Sequence, residues 1–119
     1  MSFEEKMKES YTFKGETILM GAAVLDGKPN GNTKVYLPLK TMNRHGLIAG
    51  ATGTGKTKTL QLIAEGLSNA SVPVMMMDIK GDLSGIAAAG TVNDKITDRY
   101  QKIGVEYKAT AYPTELMSL

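Results

Sequence analysis

The sequence has no cysteine, a single histidine, and no run of apolar residues long enough to span a membrane. Without cysteine there are neither disulfides nor thiolate metal sites, and His45 alone does not make a metal site. Residues 2–10 are charged and lack the apolar stretch of a signal peptide, so we expect a cytoplasmic protein. The net charge of +2 gives no electrostatic reason to expect nucleic acid binding. The chain has 119 residues, and 42% of them are hydrophobic, which is enough for a packed core.

The most informative segment present is residues 50–57, which read GATGTGKT and satisfy the pattern G-x-x-x-x-G-K-[ST]. In this pattern the backbone N–H groups of a glycine-rich loop surround the phosphates of a nucleoside triphosphate. The alternative is a glycine-rich turn before an ordinary helix. That alternative explains the glycines, but it does not explain why a lysine and a threonine follow them in register. We therefore interpret the segment as a phosphate-binding loop.

The flanks of this loop predict an α/β fold. Residues 46–49 form a short apolar run, and residues 72–77 form a longer one that ends at Asp78, as buried parallel strands do. Between them, Leu60, Ile63, Ala64 and Leu67 make one apolar stripe along a helix that we expect from 56 to 68. The order strand, loop, helix, strand predicts a right-handed crossover in a parallel sheet with both faces covered.

Each position of the loop has an expected role in binding a triphosphate. Glycines let the backbone approach the phosphates closely, and the helix N-terminus offers free N–H groups and a partial positive charge. We expect Lys56 to reach the β- and γ-phosphates as a catalytic charge, and Thr57 to place its hydroxyl on Mg²⁺. The alternatives are a solvated lysine and a threonine that merely starts the helix. The expected nucleotide-binding residues are Gly50, Ala51, Thr52, Gly53, Thr54, Gly55, Lys56, Thr57 and Lys58.

Charged residues follow the second apolar run. Asp78, Lys80 and Asp82 lie on a loop at the carboxyl end of a predicted strand, the edge at which α/β sheets bind ligands. Asp78 is therefore a candidate catalytic residue and a candidate ligand of Mg²⁺, directly or through water. The alternative is that these charges are simply solvated, as loop residues usually are.

The rest of the chain predicts a small antiparallel element and further helices. We expect strands at 17–25 and 34–39, joined by the turn-rich connection 26–32, and a strand within 105–117. Asn93 can cap a helix at 93–103 that Gly104 ends, and residues 86–89 form a weak helix. Residues 2–10 are either a short exposed helix or a frayed terminus.

Two strings together support a resemblance to a family. NRHGLIAGATGTGKT at 43–57, followed by DIKGDLSG at 78–85, resembles the HerA-like ATPases, which belong to the HerA–FtsK branch of P-loop NTPases. The resemblance implies a RecA-like parallel sheet with helices on both faces, incomplete here, plus the small antiparallel element. It divides the chain into a hairpin element at 1–42 and the beginning of a P-loop NTPase domain at 43–119. Because relatives are several times longer, we expect this chain to be an N-terminal fragment.

The resemblance also implies a function. It points to ATP and Mg²⁺ as ligands, with Lys56 and Asp78 in catalytic roles, and to a homo-oligomer, often a hexameric ring, that moves DNA. The later acidic residues and any arginine finger of such enzymes have no counterpart here, so we expect hydrolysis only in the complete protein. Two other functions stay open: a small-molecule kinase, although Arg99 is the only arginine after Asp78, and a non-catalytic module that nucleotide binding gates.

Overall fold

The computed structural model describes residues 1–118, and its secondary structure begins with a hairpin. Strand β1 (Thr17–Leu25) pairs antiparallel with strand β2 (Lys28–Pro38), from Thr17 opposite Pro38 to Leu25 opposite Lys28. The turn is only Asp26-Gly27, and both residues have positive φ, 49° and 74°. Positive φ at both positions gives the turn the backbone twist that matches the two strands. Asp-Gly is one of the sequences that favour such a two-residue turn.

This hairpin confirms the predicted antiparallel element but corrects its connection. The predicted connection 26–32 is longer than the observed turn, and β2 begins at Lys28 rather than at residue 34. The turn-forming residues at 30–32 are instead taken up by an irregularity in β2, where the register shifts between Ala22 and Ala23. The turn at Asp26-Gly27 and the irregularity at 30–32 look like one long turn in the sequence, because bulges and turns favour the same residues.

The helices follow local sequence signals closely. Helix α1 (Phe3–Tyr11) starts at a capping box in which the Ser2 hydroxyl accepts from the Glu5 N–H and the Glu5 carboxylate accepts from the Ser2 N–H. Helix α2 (Lys56–Asn69) confirms the helix predicted at 56–68. Helix α3 (Asp94–Lys102) is capped by Asn93, whose side chain accepts from the Ile96 N–H at 3.0 Å. Short 3₁₀ turns occupy Leu39–Thr41 and Ser84–Ala87.

The predicted parallel sheet is wrong for the described residues, and with it the RecA-like fold class. The two strands of the hairpin make up the one sheet found in residues 1–118. The apolar runs 46–49 and 72–77 and the segment 105–117 pair with no strand. Leu47 is 90% exposed and Met75 84%, whereas a parallel strand buries both faces. A strand needs a neighbouring strand to pair with, and within residues 1–118 none of these segments has one, so their apolar composition does not produce a sheet.

The chain separates into two compact units. The first contains residues 1–45 and 92–108, and thus the hairpin, α1 and α3. The second contains residues 46–91 and 109 onward, and thus the phosphate-loop motif, α2 and Asp78. All the residues proposed from the sequence as binding or catalytic groups therefore belong to one unit. The domain boundary between 42 and 43 stays a prediction.

Candidate functional site

The glycine-rich segment forms a tight loop that leads directly into α2. Gly53 and Gly55 have φ values of 79° and 93°, which residues with a Cβ rarely adopt. Thr54 closes the loop, because its N–H and its hydroxyl both donate to the carbonyl oxygen of Ala51, at 3.4 and 2.7 Å. A Cβ at Gly50 would lie 2.6 Å from the Thr54 hydroxyl oxygen, so a side chain at position 50 would disturb this closure.

Lys56 folds back over the loop that precedes it. Its ammonium Nζ donates to the carbonyl oxygen of Ala51 at 2.7 Å. The positive charge is therefore held beside the loop backbone by a neutral acceptor. A phosphate oxygen is a stronger acceptor for an ammonium group than a carbonyl is, because the hydrogen bond is then charged on both sides. This arrangement suits a lysine that exchanges a carbonyl for a phosphate when an anion enters.

The N-terminus of α2 differs from those of the other two helices. Ser2 and Asn93 cap α1 and α3 with side-chain hydrogen bonds, whereas the residue before α2 is Gly55, which has no side chain to do so. The first N–H groups of a helix lack intrahelical partners and carry the positive end of the helix dipole. Those of Lys56, Thr57 and Lys58 are in this position. The local sequence thus leaves donors at the point where the loop glycines let a ligand approach.

Thr57 and Lys58 complete the start of the helix. Thr57 is half-buried and Lys58 is exposed. The Lys58 ammonium donates to Oε1 of Gln61 at 2.9 Å, one helical turn along. The role of Thr57 as a ligand of Mg²⁺ stays a prediction. Its hydroxyl oxygen, in the first turn of α2, is a suitable ligand because Mg²⁺ prefers oxygen.

Asp78 ties down the loop that follows it. Its Oδ1 accepts from the N–H groups of Gly81 and Asp82 at 2.8 and 3.3 Å, and its Oδ2 accepts from that of Leu83 at 2.9 Å. Gly81 has a φ of 77°, which turns these N–H groups toward the carboxylate. The bond from Leu83, opposed by desolvation and aided by the bonds from Gly81 and Asp82, lowers the pKa of Asp78 below its ordinary value.

These contacts bear on the metal role predicted for Asp78. Three hydrogen bonds occupy most of the acceptor capacity of the carboxylate, although a carboxylate has about four lone-pair positions. A bound water remains a possible further donor to it, so the prediction that Asp78 assists a metal stays open. Within residues 1–118 there is no group of three or more histidine, aspartate or glutamate residues that could hold a metal ion by themselves.

Gln61 joins α2 to the loop after Asp78. It is only 6% exposed, its Oε1 accepts from Lys58, and its Nε2 donates to the carbonyl oxygen of Asp82 at 3.3 Å. Leu83, 7% exposed, is also buried in this unit. Sequence analysis missed Gln61, although a glutamine among the apolar residues of a helix is a signal for a buried hydrogen bond.

A second concave surface lies in the first unit. A groove of about 460 Å³ there has Val24, Pro29 and Ile103 among its lining residues. Its remaining lining residues all come from α3 and are Lys95, Asp98, Arg99 and Lys102. Asp98 forms an exposed ion pair with Lys102 at 3.6 Å, which contributes little to stability. The net charge of the whole chain does not reveal this charged face, whereas the spacing of cations along α3 is a signal for it.

Comparison with known proteins supports one relationship. No helix in the described part of the chain combines the length and apolar character that a membrane crossing demands. No curated protein and no solved structure matches the sequence. The family described as helicase HerA-like C-terminal matches residues 24–119, which include the phosphate-loop motif, Gln61 and Asp78. The match covers most of the sequence and confirms the resemblance seen in its two strings. The chain belongs to the helicase HerA-like C-terminal family.

Proposed function

We propose that this chain is the ATP-binding portion of a HerA-type ATPase. One observation carries the proposal: the glycine loop opens onto an uncapped helix N-terminus, and the Lys56 ammonium is held beside it by a carbonyl oxygen alone. Free N–H donors, an available cation and two left-handed glycines form the combination that surrounds a triphosphate. Membership of the family supports ATP as the nucleotide.

Each residue has a task in this proposal. The N–H groups from Gly53 to Lys58 bind phosphate oxygens, and Lys56 moves from Ala51 to the β- and γ-phosphates. The Thr57 hydroxyl would hold Mg²⁺, and the metal would supply positive charge that offsets the charge of the phosphates. Asp78 holds its own loop together through the backbone bonds described above, and its carboxylate would accept from a water bound to the metal. Lys56 and Asp78 are thus the candidate catalytic residues.

The wider role follows from the family. The complete protein couples ATP hydrolysis to movement along DNA in the cytoplasm, as a homo-oligomeric ring. The family description, which names a helicase, supports this part of the proposal. On α3, Lys95 and Arg99 add positive charge near the Asp98–Lys102 ion pair, which supports an anionic partner for this face.

The test of nucleotide binding is calorimetric titration of the chain with MgATP. We expect saturable binding by the unchanged chain, and Lys56→Ala to weaken it roughly ten- to a hundredfold, the value of a charged hydrogen bond. Lys14→Ala, which removes an exposed lysine from the first unit, is the matched control and should bind as the unchanged chain does. Thermal unfolding shows whether each variant keeps its fold. Equal affinity of the Lys56→Ala variant and the control would refute the assignment of the loop.

A further inference from the structure

Gln61 is a buried side chain whose two polar ends serve different parts of the second unit. Its carbonyl oxygen accepts from the ammonium of Lys58, and its amide nitrogen donates to the carbonyl oxygen of Asp82. The side chain is 6% exposed, and its oxygen faces the ammonium of the exposed Lys58. A buried amide that loses one hydrogen bond must find another or move. A change of hydrogen-bond partner at the oxygen of Gln61 can therefore alter the hydrogen bond that its amide nitrogen makes to Asp82.

The partner at the far end belongs to a loop whose backbone is held by one carboxylate. Asp78 binds the N–H groups of Gly81, Asp82 and Leu83 through one carboxylate. A displacement of the Asp82 carbonyl is thereby carried to the peptides on either side of it. The buried Leu83 side chain anchors the end of this segment. The segment 78–83 is thus joined by hydrogen bonds to one carboxylate, and the Gln61 amide adds a hydrogen bond from α2 to it.

The partner at the near end belongs to the proposed phosphate site. Lys58 directly follows Thr57 and lies in the first turn of α2, where a triphosphate would bring several negative charges. Its ammonium now donates to a neutral amide oxygen. A phosphate oxygen attracts an ammonium group more strongly than an amide oxygen does, because both partners of the hydrogen bond are charged. Lys58 also acts on Glu65, since its charge opposes the rise in the pKa of Glu65 that burial causes.

We infer that Gln61 is a positioning residue that couples occupancy of the phosphate loop to the position of residues 78–83. When phosphate draws Lys58 away, the amide oxygen of Gln61 loses its donor, and the side chain turns and alters its bond to Asp82. The loop that carries Asp78 then shifts relative to α2. This inference rests on the proposed function, because it needs a triphosphate at residues 50–58. It adds a route by which binding changes the place of the candidate catalytic carboxylate.

The test is amide hydrogen exchange of residues 79–83, measured with and without saturating MgATP. In the unchanged chain we expect nucleotide to change the exchange rates of the Asp82 and Leu83 amides severalfold. In Gln61→Met, which keeps the size of the side chain and removes both hydrogen bonds, the rates should no longer respond to nucleotide. Gln101→Met, which changes the exposed glutamine of α3, is the matched control and should keep the response.

A second variant keeps the test decisive if Gln61→Met folds poorly. Lys58→Met removes only an exposed ammonium, and at saturating MgATP it should also abolish the response of residues 79–83. Lys58→Arg retains a cationic donor and should restore it. A loop that still responds to nucleotide in Gln61→Met or Lys58→Met would overturn the coupling. Calorimetry separates the two proposals: absence of MgATP binding rejects the proposed function, whereas binding without any loop response rejects the coupling alone.

Discussion

At the scale of single residues, the two groups that sequence analysis singled out as catalytic have different surroundings. Lys56 lies where the motif places it, over the glycine loop, because its position depends on neighbours within a few residues. Asp78 follows a predicted strand as a candidate ligand of Mg²⁺, directly or through water. Its carboxylate binds backbone N–H groups of its own loop, and its role at a metal stays a prediction. The pattern D-x-K-G favours this arrangement. Gly81 adopts a positive φ, which lets the loop fold back onto the Asp78 carboxylate.

The contacts of Asp78 predict a dependence on pH. Its pKa is lowered because the folded loop favours the ionised carboxylate. The stabilisation is therefore present above the ordinary pKa of aspartate, and it is lost as the pH falls through the lowered value. We expect the amides of Gly81 and Leu83 to lose protection from exchange in acid, in a single titration step seen by NMR.

The variant Asp78→Asn isolates this effect. An asparagine can still accept one backbone bond, but it presents N–H donors where Oδ2 accepts from Leu83, so the loop should be open at neutral pH too. The acid step should then disappear. Asp98→Asn, which changes an exposed aspartate of α3, is the control and should leave both amides as they are. An unaltered acid step in Asp78→Asn would show that another group causes it.

At the scale of elements, a short stretch of sequence was sufficient to predict a helix or a hairpin. It was not sufficient to predict a strand that must pair with a distant segment. The cap at Asn93 and the apolar stripe of α2 predicted two helices to within a residue of each end, because a helix makes its hydrogen bonds internally. The hairpin was predicted from two strand-like runs on either side of the turn-rich connection 26–32, although the observed turn is only Asp26-Gly27. The runs 46–49 and 72–77 were predicted as strands from composition alone, and without hydrogen-bonded neighbours they form none.

The end of α2 offers a prediction about stability. The helix closes with bonds from the Ser71 N–H to the Ser68 carbonyl and from the Val72 N–H to the Leu67 carbonyl, both 2.9 Å. Ser71 adopts a φ of 60°, the left-handed conformation that usually requires glycine in this motif. Ser71→Gly should therefore raise the free energy of unfolding by about 1 kcal/mol.

Ser68→Gly provides a comparison of opposite sign. This residue lies inside the last turn of α2, where replacing serine by glycine should lower the free energy of unfolding by about 0.5 kcal/mol. Chemical denaturation of both variants measures the difference. If Ser71→Gly destabilises the chain as Ser68→Gly does, the left-handed closure of α2 is not the conformation that the chain adopts.

At the scale of the whole molecule, the family and the candidate site agree while the predicted sheet does not. The family match over residues 24–119 includes parts of both compact units, and the phosphate-loop motif lies entirely in the second. The loop residues 50–58 could be singled out without the sheet because they form one continuous stretch of chain, and their role in nucleotide binding stays a prediction. The pairing of the predicted parallel strands could not be established from the sequence, because it would join segments that are far apart along the chain. Gln61 was missed for the same reason, because its bond to Asp82 joins residues 21 positions apart.

NMR titration of the backbone amides shows whether the N–H groups at the start of α2 bind the phosphates of ATP. We expect MgATP to shift the amide resonances from Gly53 to Lys58 in a saturable manner, and adenosine, which has no phosphate, to leave them in place. Resonances in this segment that stay unchanged in saturating MgATP, or that respond equally to adenosine, would contradict the account.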